Sequence, residues 1–238
     1  MDTVITYLTL SFIVSFLLGS IPWGVIVSKL AFHKDIREEG SGNIGTTNAF
    51  RAMGKAGGAV VFLLDFGKGV LSGWLAAWVF APAIAGVAVD GTAAEGQALL
   101  AAFGPTGVNP VSLCLALAFA GCTLGHIFSP WLKFKGGKGI AVAAACLLFV
   151  YGPAGFFIEI AVFALGILIT RCVSVGSIAA AVMCPLLGLY FYWGHWVSWV
   201  IIAATALVVI WAHRTNIQRL RAGTENKIGS KKKERPCA

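Results

Sequence analysis

Charge is what this chain lacks most. Of its 238 residues, 12% are charged and 58% hydrophobic, whereas soluble domains carry roughly 25% charged residues. With a mean hydropathy of +0.84, that shortage excludes a water-soluble globular fold. Paired cysteines are missing too. Cys114, Cys122, Cys146, Cys172, Cys184 and Cys237 contain no Cys-x-x-Cys, and most lie in apolar runs. They read as small buried hydrophobes rather than as a zinc site or a disulfide framework. No metal and no cofactor are expected. The formal net charge of +8 is divided among short loops and a tail instead of forming one stripe, which argues against nucleic acid as a partner.

What the chain has in abundance is length of apolar run. A spanning helix needs about 20 mostly apolar residues, and seven candidates follow one another: residues 3–30, 57–80, 111–128, 140–151, 153–170, 175–193 and 196–212. The fourth is short unless it borrows residues 136–139, so it is expected to start as a partly broken helix. The first has no basic leader and is too long for a cleaved signal peptide. Trp 8 and Phe 16 suit aromatic belts at the two interfaces. The expected fold is an all-α polytopic membrane protein of about seven transmembrane helices.

The cations give that fold an orientation. With the N-terminus outside, the inner loops hold Lys34, Arg37, Arg51 and Lys55, then Lys133, Lys135 and Lys138, then Arg171. The segments left outside (1–2, 81–110, 152 and 194–195) hold no Lys or Arg. The positive-inside rule therefore puts the N-terminus outside and the C-terminus in the cytoplasm. Residues 1–229 read as one integral membrane domain, interrupted by an extracytoplasmic Gly/Ala-rich insertion at 81–110 to which no chemistry is assigned. Residues 230–238 read as a basic cytoplasmic tail.

Three donor-rich stretches fall on the inner face. Gly40-Ser-Gly-Asn-Ile-Gly-Thr-Thr-Asn-Ala-Phe-Arg51 contains Gly-x-Gly-x-x-Gly, but no hydrophobic strand precedes it, so it is not a dinucleotide fingerprint. Its glycines permit close backbone approach, Ser41, Thr46, Thr47 and Asn48 carry side-chain donors, and Arg51 can fork onto a phosphate. The plain alternative is an inter-helix turn whose Arg meets lipid head groups. Lys133-Phe-Lys-Gly-Gly-Lys138-Gly139 lacks the first Gly and the Ser/Thr of a Walker A loop, yet it suggests an anion held at a helix start. Lys133 and Lys135 read as snorkelling anchors and Lys138 as the functional cation. In His213-Arg-Thr-Asn216-Ile-Gln-Arg219, His213 and Asn216 share a helix face if the segment is helical. That face is either a site or a charged helix end.

Other polar residues are weighed beside these. His126, about a turn before Pro130, is structural more often than catalytic. Asp65 and Lys68 lie three apart inside the second span, where they can satisfy each other. Glu159 has no partner nearby in the sequence; it faces a polar cavity or hydrogen-bonds as an acid. Ser174 and Ser177 open the sixth span either as caps or as hydroxyl donors to a phosphate. Glu225 is available to pair with a loop cation.

The stretches at 41–51, 125–139 and 213–225 resemble, in order, the three signature motifs of the bacterial integral membrane, acyl-phosphate-dependent glycerol-3-phosphate acyltransferases. The similarity runs from the first span to the tail, and the insertion at 81–110 is the departure. Thr46 stands at a variable place of the first motif. The resemblance implies transfer of an acyl group from acyl phosphate to the 1-hydroxyl of sn-glycerol 3-phosphate, in the bacterial inner membrane with the site on the cytoplasmic face. It implies that Ser41, Gly42, Asn43, Thr47 and Asn48, with Gly136 and Gly137, hold the donor. Arg51, Lys138, His213 and Asn216 then bind glycerol 3-phosphate and form the catalytic set, helped by Ser174 or Ser177. Acyl phosphate is already activated, so positioning and charge stabilisation carry most of the rate. The rival class is a transporter for a phosphorylated solute. Against it, the motifs crowd one face instead of the midplane and no inverted repeat is evident.

Overall fold

The computed structural model describes residues 2–84 and 109–229, all helix and short connections, with no strand among the described residues. Helices α1 (Asp2–Ser20) and α2 (Trp23–Phe32) make one apolar stretch, Thr3–Phe32, interrupted at Ile21-Pro22. Pro22 has no N–H with which to continue the α1 ladder. At this break the Ile21 carbonyl accepts from the Trp23 N–H at 3.1 Å and also from a lysine side chain, with consequences for the site.

Helix α3 (Thr46–Leu75) runs on through a single π-helical turn, Ala76–Phe80, as far as Ile84. Gly54 sits within α3 at φ 70°, a conformation that glycine adopts freely. The resulting kink sets the first two turns of α3 apart from its membrane-crossing part. Residues 81–84 thus belong to a helix, and the expected insertion begins no earlier than residue 85. Residues 85–108 and the expected tail at 230–238 lie outside the described residues.

Helix α4 (Pro110–Ile127) is the axis of the bundle. Asn109 caps it, its Oδ1 accepting from the N–H groups of Val111 and Ser112 at 2.9 and 3.2 Å, with Pro110 at the first position. Gly121 and Gly125 press against the α1 backbone at Phe12 and Phe16, leaving no room for a Cβ. Small residues at such a contact let two membrane helices approach closely. Around this axis stand α5 (Ile140–Val150), α6 (Gly152–Thr170), α7 (Val173–Phe191), α8 (Trp196–Ala212) and the short α9 (Arg214–Arg221). The outward face of α6 is apolar, with Leu168 75% and Ile169 80% exposed, as a lipid-facing surface should be.

Among the described residues, five helices are long and apolar enough to cross a membrane, or six if α8 and α9, bent by 53°, count as one span. Seven were expected. The shortest of them is α5, whose 11 residues rise only about 16 Å, half of the roughly 30 Å hydrocarbon core. The chain reaches α5 through the non-helical residues 135–139, which are covered by α4. Irregular backbone at membrane depth is tolerated where protein buries it.

Candidate active site

The connections 33–45, 128–139, 171–172 and 213–229 gather at one end of the bundle and carry most of its cations. Beneath them lies a cavity of about 350 Å³. Its mouth is polar, lined by Ser41, Asn43, Thr46, Thr47, Asn48, Arg51, Lys138, Ser174, Ser177, His213, Asn216, Arg219 and Glu225. Its floor is apolar, made by Phe62, Phe66, Phe119, Leu147, Phe163 and Ala206, with Glu159 among them. All three donor-rich stretches therefore meet at a single cavity.

One wall of the mouth is the start of α3. Gly40 and Gly42 turn the preceding loop at φ 59° and 70°. Asn48 staples it: its Nδ2 donates to the carbonyls of Ile36 (3.1 Å) and Glu39 (2.9 Å), and its Oδ1 accepts from the Ser41 N–H at 2.8 Å. Asn43 Oδ1 accepts from Gly45 N–H at 2.9 Å, shaping the entry to the helix. Thr46 and Thr47 occupy the first turn of α3, where N–H groups have no intrahelical partner. The Thr46 hydroxyl is buried without a partner. A helix start that aims free N–H groups and hydroxyls at a cavity is suited to an anion.

The opposite wall is a connected network on α9 and its neighbours. Lys138 Nζ donates to Asn216 Oδ1, and Asn216 Nδ2 donates to Glu225 Oε1 at 2.8 Å. Ser174 Oγ also donates to Glu225 Oε1, at 3.1 Å, and Arg219 Nε pairs with Glu225 Oε2 at 2.8 Å. Ser174 thus ties α7 to α9 rather than capping its own helix. Burial works against the Glu225 charge, but the hydrogen bonds from Arg219 and Asn216 outweigh it and hold the carboxyl below its usual range. Burial, then repulsion from Arg219, brings Lys138 down to about 8. Arg51 lines the same mouth, exposed, and makes no ion pair among the described residues.

His213 sits at the bend between α8 and α9, only 2% exposed. Its Nδ1 lies 2.8 Å from the Val209 carbonyl. A carbonyl only accepts, so this bond puts the proton on Nδ1 and leaves Nε2 as an acceptor in the neutral ring. Burial lowers the imidazole to about 4, so it is neutral at pH 7. Ser177 Oγ donates to the Val173 carbonyl at 3.0 Å and offers the cavity only its acceptor side.

Behind the mouth lies a second ionic cluster. Lys68 Nζ is 2.9 Å from Asp65 Oδ1, 2.8 Å from the Ile21 carbonyl at the α1–α2 break, and 3.0 Å from His126 Nδ1. The expected Asp65–Lys68 pair is present, with His126 as a third member that the sequence did not link to it. His126 also anchors the Lys138 loop: its carbonyl accepts from Gly137 N–H at 3.0 Å, and the Ile127 carbonyl accepts from Gly136 N–H at 2.9 Å. Any Cβ at Gly137 would collide with the His126 ring.

The expected donor residues therefore divide. Ser41, Asn43, Thr47 and Asn48 line the cavity; Gly42, Gly136 and Gly137 do not. The N–H groups of those three glycines bond to the carbonyls of Glu39, Ile127 and His126 respectively, so they are committed to the fold rather than open to an anion. Arg51, Lys138, His213, Asn216, Ser174 and Ser177 all reach the cavity. Thr46, Arg219 and Glu225 join them; the sequence offered Thr46 as a donor and Glu225 as a partner for a cation, without assigning either a substrate. No group of three or more His, Cys, Asp or Glu arranged to hold a metal ion occurs among the described residues.

The chain is similar to known proteins along most of its length. A family model described as "Glycerol-3-phosphate acyltransferase" matches residues 9–223. Curated proteins of that name are similar along nearly their whole length. That of Lacticaseibacillus casei is 36% identical over 221 residues, covering 93% of this chain and 92% of the relative. That of Chlorobaculum tepidum is 35% identical over 237 residues, covering 91% and 94%. Among solved structures, the integral membrane glycerol 3-phosphate acyltransferase PlsY in its glycerol 3-phosphate form matches with a TM-score of 0.71. It is 30% identical, over 93% of this chain and 96% of that one. Its lysophosphatidic acid form matches with a TM-score of 0.69 at 28% identity.

Proposed function

The chain belongs to the glycerol-3-phosphate acyltransferase family of integral membrane enzymes, and from that premise we propose that its acyl donor is an acyl phosphate. The 1-hydroxyl oxygen of sn-glycerol 3-phosphate attacks the acyl carbon, the bond from that carbon to the phosphate oxygen breaks, and inorganic phosphate leaves. The lipid product is 1-acylglycerol 3-phosphate. One observation carries the reading: a mouth with two separate anion-holding walls opens onto an apolar floor. Two phosphates and one acyl chain need such a cavity.

The donor phosphate lies at the start of α3, against the free N–H groups and hydroxyls of Thr46 and Thr47 and beside Ser41. Asn43 and Asn48 hold that wall in shape, and Gly42, Gly136 and Gly137 serve the loops rather than the phosphate. Glycerol 3-phosphate lies between Arg51 and Lys138, with Asn216, Ser174 and Ser177 around it. His213 Nε2 accepts a hydrogen bond from the attacking hydroxyl and orients it. The proton itself passes to the departing phosphate. An imidazole held to about 4 is a weaker base than phosphate, whose second pKa is about 6.

The membrane is the bacterial inner membrane, and the cation-rich end faces the cytoplasm. The test is purified protein in detergent, given acyl phosphate and labelled glycerol 3-phosphate. Labelled lipid is expected with equimolar phosphate release, and none with acyl-CoA or acyl carrier protein in its place. Product from acyl-CoA but not from acyl phosphate would overturn the donor.

A further inference from the structure

The apolar floor contains one residue that the reaction does not use. Glu159, on α6, is 3% exposed, lines the cavity, and neither of its carboxyl oxygens has a hydrogen-bond partner. Its depth follows from helix geometry. Ser174 at the mouth and Cys184 on the floor both line the cavity and lie ten residues apart on α7, a rise of about 15 Å. Glu159 is eleven residues from the mouth-side end of α6 at Thr170, a rise of about 16 Å. It therefore stands at the same level as Cys184, near the middle of a bilayer roughly 30 Å thick. Phe62, Phe66, Phe163 and Leu147 line the same floor, and none of them can hydrogen-bond to a carboxyl group.

We propose that Glu159 sets which acyl chains the cavity accepts: it disfavours unsubstituted chains long enough to pass it and favours those carrying a hydroxyl at its depth. This rests on the reading above, in which the acyl chain lies along the floor. A short chain stops before Glu159 and leaves room for water at the carboxyl group. A long saturated chain displaces that water and offers nothing in return, and a buried polar group deprived of its partner is costly. A mid-chain hydroxyl restores the lost hydrogen bond.

The test measures kcat/KM for lauroyl, stearoyl, oleoyl and ricinoleoyl phosphate with the wild-type enzyme, Glu159→Leu and Glu159→Gln. Glu159→Leu should raise the stearoyl-to-lauroyl ratio about tenfold, through a lower KM for the longer chain. Thermal unfolding of each variant in detergent reports an intact fold. Glu159→Gln, which keeps a polar head at the same depth, should stay close to wild type. The wild-type enzyme alone should prefer ricinoleoyl, with its mid-chain hydroxyl, to oleoyl by a similar factor, a comparison that needs no variant to fold. A stearoyl-to-lauroyl ratio unmoved in Glu159→Leu, or equal use of ricinoleoyl and oleoyl by the wild type, overturns the proposal. Failure of the wild-type enzyme to turn over any acyl phosphate instead overturns the reading on which it rests.

Discussion

Two lysines of this protein sit in ionic clusters on opposite sides of one loop, and they differ in what they have left to give. An ammonium group has three donors. Lys68 spends all three, on Asp65, the Ile21 carbonyl and His126. Lys138 makes one hydrogen bond, to Asn216, and faces the cavity beside Arg51. A saturated cation holds helices together, whereas an unsaturated one attracts an anion. The residues between them make the two clusters interdependent, because His126 bonds Lys68 through its ring and the Lys138 loop through its carbonyl.

The largest expected effect comes from opening the closed cluster. Lys68→Met leaves Asp65 charged and buried without compensation, and breaking such a pair costs about 3–5 kcal/mol. Thermal unfolding in detergent should show a large drop, and Asp65→Leu in the same chain should recover much of it by removing the orphaned charge. A variant that unfolds no earlier than wild type would show that Lys68 is not structural. Lys138→Met should behave in the opposite way. Its unfolding temperature should barely move, while kcat/KM for glycerol 3-phosphate falls about 10²–10³-fold, the usual cost of losing one positioned charge donor. Equal loss of stability in the two variants would erase the distinction.

A smaller effect separates the two lysines by pH. Lys138 lies at about 8, below the ordinary lysine value, so its positive charge is lost as pH rises through 8. Anion binding needs that charge, so kcat/KM for glycerol 3-phosphate should decline above pH 8, approaching tenfold per unit. A bound phosphate stabilises the ammonium, which should move the corresponding limb of kcat to higher pH. The limb should vanish in Lys138→Met; if it persists, another group is titrating. The smallest effect expected is none: activity in excess chelator should equal activity without it. A loss would mean that the mouth recruits a metal to its phosphates.

Much of this was legible in the chain because it is local. The three motifs are contiguous, and their order survives any fold. The Asp65–Lys68 pair is written in a three-residue spacing that a helix closes automatically. His126 as third partner was not legible, since it lies 58 residues from Lys68 and reaches it only because α3 and α4 pack together. Glu225 as the hub for Ser174, Asn216 and Arg219 was half legible. Its charge invited a partner, but Ser174 is 51 residues away. The broken start of α5 was legible too: the fourth apolar run is short without residues 136–139, and that glycine-rich stretch is non-helical in the fold.

The chain alone determined that the protein lives in a bilayer, that its cations gather at one end, and which three stretches match the family's motifs. These follow from apolar run length, charge placement and motif order, all properties of neighbouring residues. Only the tertiary structure decided which donors are spent and which are free. Asn48, Gly136 and Gly137 look like phosphate binders on paper and are occupied in the fold, while Thr46, one of four side-chain donors in its stretch, presents an unpartnered hydroxyl to the cavity. The reason is physical: each hydrogen-bonding group has few bonds to give, and whether a carbonyl or a ligand receives them depends on which distant segment is folded against it.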